Sequence, residues 1–140
     1  MEVCSFVPSR SRRLRNGGTF EDLCHALFKR VWKDPLAQKN GRRGQKQHGV
    51  DVFGSEDGDR QSYQGVQCKG KDANYGSNAD WPEIFAEVAK ADNFSPKLQH
   101  WIFATTAPVD AALQKMARVL SVERRELAHP IHAVEAGLLV

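Results

Sequence analysis

His48-Gly-Val-Asp-Val-Phe-Gly54 and Tyr63-Gln-Gly-Val-Gln-Cys-Lys-Gly-Lys71 are the stretches that decide the fold. In both, apolar residues alternate with polar or small ones, Val50 and Val52 in the first, Val66 and Cys68 in the second. That is the period of a strand. Between them Gly54-Ser-Glu-Asp-Gly-Asp-Arg-Gln-Ser62 is dense in turn formers, so the pair reads as an antiparallel hairpin. A hairpin centred on residue 59 sets Asp51 opposite Gln67 on one face. It gathers Val50, Val52, Val66 and Cys68 on the other. Lys69 shares the face of Gln67 and lies opposite Gly49, which has no side chain to crowd it. A carboxylate, an amide and an ammonium then converge on one patch of sheet backed by apolar residues, a suitable site for a divalent metal and a phosphate.

Outward from the hairpin, helices and single strands alternate. Thr19 with Asp22 resembles a capping box, and Phe20, Leu23, Cys24, Leu27, Phe28 and Val31 recur at helical spacing, predicting a helix over 20–32. Asp34-Pro35 ends it, with at most a short strand near 34–37. Residues 37–48 form a basic loop leading into the hairpin. Beyond it, Asp80 and Glu83 open a second helix carrying Ile84, Phe85, Val88 and Ala91, to about 92. Trp101 to Thr105 is a short apolar run fit for a buried strand. Ala107-Pro108 begins a third helix with Val109, Ala112, Leu113, Met116, Ala117 and Leu120 on one side, to about 127. His129-Pro130 breaks it, and a final strand follows over 131–134. This order predicts an α/β layout with a mixed sheet and helices on its faces.

Composition narrows the class. The 140 residues suit one domain, and 41% hydrophobic with 26% charged residues is ordinary for a globular chain. No apolar run reaches the roughly 18 residues of a membrane span, and the arginines near the N-terminus lack the apolar segment of a secretory signal. Cys4, Cys24 and Cys68 are odd in number and without metal spacing, which fits a reduced cytoplasmic setting. Residues 1–50 carry a net charge of +7 and residues 51–140 carry −4. Such asymmetry points to a polyanion-facing side, although for residues 1–16 a solvated basic tail explains the charge equally well. Nucleotide-binding G-x-x-x-x-G-K-[ST], G-x-S-x-G and H-E-x-x-H motifs are all lacking.

Gly49-Val-Asp51 with Gln67-Cys-Lys69 resembles the Mrr-type branch of the PD-(D/E)xK nucleases, in which Gln stands where most members have Asp or Glu. The longer string extends the likeness: Gln47 to Gly54, then Gly65-Val-Gln-Cys-Lys-Gly-Lys-Asp-Ala-Asn-Tyr-Gly76, then Ile102-Phe-Ala-Thr-Thr-Ala-Pro-Val-Asp110. It is similar to restriction-endonuclease-like domains at the N-termini of bacterial antiphage-defence proteins, which precede a nucleotide-binding sensor region. The likeness runs from about Thr19 to about Glu135. It implies a restriction-endonuclease-like αβββαβ core with a central mixed sheet flanked by helices, over residues 19–140; residues 1–18, with Pro8, several Ser and Arg and then Gly17-Gly18, read as an irregular basic arm ahead of it. It also implies an endonuclease dependent on Mg²⁺ or Mn²⁺ that acts on double-stranded DNA as a homodimer or higher oligomer. With no sensor region in this sequence, regulation by a separate chain is expected.

The residues then take roles. Asp51 is the expected central metal ligand; Asp is depleted in strand interiors, and here it lies between two valines. Gln67 offers an amide oxygen to the metal or to a metal-bound water, or else packs across the strands. The Cys68 backbone carbonyl can complete the shell, while its thiol is expected in the core. Losing one acidic ligand predicts weak metal affinity, with a millimolar requirement. Lys69 is placed to orient the attacking water and neutralise the scissile phosphate. In the resembled family an early-helix Glu reaches the metal, which nominates Glu21; a Glu there is also favoured by the helix dipole. Arg42, Arg43, Lys46, His48 and Lys71 are expected to meet the phosphate backbone, with packing or capping the other role open to His48. A binding or partner-recruiting module on the same fold, and a ribonuclease, are the competing readings.

Overall fold

The first helix, α1, spans Gly17–Val31 and buries Phe20, Cys24 and Phe28, which recur every four residues and so form one stripe. It begins before Thr19, so that residue lies within the helix and Glu21 falls in the second turn, past the strongest part of the helix dipole. It ends where Lys33 takes a left-handed conformation, φ 51°. The computed structural model describes residues 17–41, 48–69, 81–105 and 111–138. After α1 come β1 (Gln38–Lys39), β2 (Val52–Gly54), a 3-10 turn (Glu56–Gly58) and β3 (Tyr63–Lys69). The chain continues through α2 (Trp81–Ala91), β4 (Leu98–Thr105), α3 (Ala111–Glu126) and β5 (Ala133–Leu138).

The five strands lie in the order β1-β2-β3-β4-β5. The first three pair antiparallel, and β3, β4 and β5 pair parallel, so the chain is an α/β fold with a mixed sheet. Parallel neighbours need crossover connections, and α2 and α3 occur in them. Both helices pack on one face: Ile84, Val88 and Ala91 of α2 and Leu113, Ala117 and Leu120 of α3 join Trp101, Phe103 and Val134 in one apolar cluster. Helix α1 covers the other face, over Val52, Val66, Cys68, Ile102 and Ala104. Among the described residues no helix is long and apolar enough to cross a membrane.

Several boundaries differ from the sequence expectations, each for a local reason. The first strand falls at 38–39 rather than 34–37, because Asp34 turns the chain there. Asp34 is fully buried; its Oδ1 accepts from Leu36 N at 3.0 Å and Arg60 Nη2 at 2.6 Å, and its Oδ2 from Ser55 N at 2.9 Å. Strand β4 starts at Leu98, three residues before the apolar run; Gln99 is exposed and hides the start from hydropathy. The last strand begins at Ala133, not Ile131: the Ile131 carbonyl accepts from Arg124 Nε at 2.7 Å, leaving that residue as a buried connection. Of the predicted basic arm of residues 1–18, residues 17 and 18 belong to α1 instead; the rest of it, and the predicted opening of α3 at Ala107-Pro108, lie outside the described residues.

Candidate active site

The hairpin pairs Val52 with Val66, Phe53 with Gly65 and Gly54 with Gln64, the register centred on residue 59. Extending it would set Asp51 beside Gln67. At Asp51, however, the chain bends out of the ladder. Its N–H reaches the Val66 carbonyl at 2.8 Å, and its own carbonyl accepts from Asn40 N at 2.7 Å. Its carboxylate Oδ2 accepts the Cys68 N–H at 2.7 Å. The bend follows from the preceding turn, where His48 and Gly49 both have positive φ. Gly49 lies so close to α2 that a Cβ there would sit 2.5 Å from the Glu87 carbonyl oxygen, and its own carbonyl accepts from Trp101 Nε1 at 2.9 Å. Glycine is required at this contact on both steric and conformational grounds. One expectation is thereby overturned: Val50 packs with the α2 and α3 cluster, whereas Val52, Val66 and Cys68 face α1.

Asp51 is 3% exposed, and this burial pushes its carboxyl up to about 6. The Cys68 amide opposes the shift, Glu21 adds to it, Lys69 opposes it and Glu87 adds to it. Groups from α1, β3 and α2 therefore all act on one carboxylate. Gln67 is 7% exposed, and its Oε1 is enclosed without a hydrogen-bond partner among the described residues. Orphaned buried acceptors of this kind are rare and call for an explanation such as a bound ion or water. Lys69 is partly exposed, its ammonium 3.8 Å from Glu87 Oε1, and its carbonyl accepts from Thr105 Oγ1 at 2.8 Å, which fixes the end of β3.

The other predicted residues are distributed unevenly. Glu21 is half-buried on α1, close enough to raise both Asp51 and Cys68. The Cys68 thiol lies in the α1 core, where its hydrogen bond with Cys24, followed by burial, pushes its pKa up; its amide is the group that meets Asp51. His48 is half-buried in the left-handed turn before Asp51. Arg42, Arg43, Lys46 and Lys71 lie outside the described residues. Among the described residues, no three His, Cys, Asp or Glu side chains stand close enough to form a metal cage. Glu87, which the sequence reading passed over, sits 9% exposed against Lys69.

No family model, curated protein or solved structure matches the chain.

Proposed function

We propose that this chain is a metal-dependent DNA endonuclease with a restriction-endonuclease-like αβββαβ core of the Mrr-like PD-(D/E)xK type, acting on double-stranded DNA in antiphage defence. The observation that carries this reading is the buried Asp51 carboxylate, held in a bend against the Cys68 amide of β3, the strand that also carries Gln67 and Lys69. Mg²⁺ commonly takes only one or two carboxylates, the rest of its shell being water and phosphate oxygen, so the donor set suits it.

Asp51 and Gln67, with the Cys68 carbonyl and Glu21, would hold Mg²⁺ or Mn²⁺. When bound, the ion would lower the pKa of a water molecule and stabilise charge on the phosphoryl oxygens. The Cys68 amide fixes the Asp51 carboxylate in orientation, so little reorganisation is needed. Lys69 brings a protonated donor to the scissile phosphate. Arg42, Arg43, Lys46, His48 and Lys71 would track the phosphate backbone, positioning the duplex without reading bases. Cutting both strands calls for two such sites, hence a homodimer or higher oligomer, working in the cytoplasm.

Supercoiled plasmid incubated with Mg²⁺, Mn²⁺ or EDTA tests the reading, with Asp51→Ala and Lys69→Ala as comparison variants. Metal-dependent nicking or linearisation, lost in both variants, is the expected result, with activation at millimolar metal. Plasmid left intact by the wild type would overturn it. The uncharged Gln67 favours one other reading, a DNA-binding module without turnover; a gel shift that survives EDTA while plasmid stays intact would select it.

A further inference from the structure

Glu87 belongs to no part of the motif that led to this site, yet it is the described carboxylate that pairs with Lys69. It rises from α2 on the sheet face shared by Phe103, the β4 partner of Gln67. Its Oε1 lies 3.8 Å from the Lys69 ammonium and 3.2 Å from that of Lys90. Its side chain is 12% exposed, against 61% for Lys90, so the carboxylate is anchored while one of its cations reaches solvent. The backbone beneath it is also fixed, because its carbonyl packs against Gly49, two residues before Asp51. Glu87 therefore sits where α2, the bend and the end of β3 meet.

We infer that Glu87 is the positioning residue for Lys69, holding its ammonium at the end of β3 from α2. This assignment rests on the nuclease reading only for its consequence in cleavage. A separation of 3.8 Å is at the loose end of an ion pair, and the nearer cation is Lys90. Lys69 can then turn from Glu87 to a phosphate oxygen without stranding a buried charge, because Lys90 keeps the carboxylate compensated. In the free protein the pair keeps the ammonium near Asp51 and prevents it from sampling the rotamers open to a solvated lysine. No proton or bond changes hands in this step; one ion pair is exchanged for another.

The test is the order parameter of the Lys69 ammonium, from ¹⁵N relaxation of the lysine side chains, in wild type, Glu87→Gln, Glu87→Asp and Lys90→Ala. The expected result is a restrained Lys69 ammonium in wild type that loosens in Glu87→Gln to the mobility of Lys115, a lysine exposed on α3. Partial restoration is expected in Glu87→Asp, with no loosening in Lys90→Ala. Plasmid cleavage by Glu87→Gln should show kcat lowered about tenfold with KM within about twofold, the pattern of lost positioning rather than lost binding. A Lys69 ammonium as mobile in wild type as in Glu87→Gln would overturn the assignment, as would equal loosening in Lys90→Ala. If Glu87→Gln does not fold, Glu87→Asp carries the comparison: an ammonium unchanged from wild type would count against the pair. A restrained ammonium in a chain that cuts no DNA would uphold Glu87 and sink the nuclease reading, so the two fail separately.

Discussion

Asp51 trades stability for a charge held out of water. Its carboxyl titrates at 3.8 when solvated and at about 6 in the fold, so between those values the folded state binds the extra proton. The stability this group contributes is complete below about pH 4 and is lost as pH rises through 6. The shift corresponds to an upper figure of about 3 kcal/mol. Asn can keep the Cys68 hydrogen bond without the buried charge, so Asp51→Asn should raise the unfolding free energy at pH 7 by about 2 kcal/mol and leave it nearly unchanged at pH 4. Urea denaturation at the two pH values measures this; equal effects at both would show that desolvation is not what shifts the carboxyl. Strand parity and one turn nominate Asp51, Gln67 and Lys69 from the sequence; the bend breaks that parity, yet the Asp51 carboxylate still meets β3, through the Cys68 amide. Glu87 was not: between Ile84 and Val88 it looks like any polar helix residue, and only the packing of α2 on the sheet brings it to Lys69.

The bend at Asp51 depends on how α2 meets the turn before it. Gly49 has φ 68°, and a Cβ there would meet helix backbone rather than a side chain able to move aside. Gly49→Ala should cost about 3 kcal/mol, combining left-handed strain with overpacking. It should also part α2 from the end of β3, weakening the Lys69–Glu87 contact. A loss below about 1 kcal/mol in urea would mean that the loop yields and that Asp51 is aligned by its hydrogen bonds alone. The same turn marks the limit of what alternation reveals. The hairpin register was legible from its symmetric turn, but two left-handed residues at 48 and 49 end the strand period, so Val50 crosses to the opposite face. Likewise β5 hides behind Ile131, an apolar residue whose carbonyl belongs to Arg124 rather than to the ladder.

On the scale of the whole molecule, the site joins pieces that are far apart in sequence: α1 through Glu21, the bend through Asp51, β3 through Gln67 and Lys69, and α2 through Glu87. On the proposed reading, an ion bound there would engage only the folded chain, since unfolding disperses its ligands. Binding would therefore stabilise the whole fold by RT ln(1 + [L]/Kd). With affinity near 1 mM, as expected for a site in which an amide replaces a carboxylate, about 10 mM Mg²⁺ contributes about 1.4 kcal/mol. For a domain of this size that corresponds to a Tm increase of about 5 °C. The increase should vanish in Asp51→Asn, which keeps the shape of the site and loses its charge, and should shrink as pH falls below 6 and the wild-type carboxyl takes up a proton. Scanning calorimetry against NaCl of matched ionic strength separates specific binding from screening. A Mg²⁺-dependent increase of equal size in wild type and Asp51→Asn would place the cation elsewhere on the surface, and the buried carboxylate would then need another explanation for the stability it gives up at neutral pH.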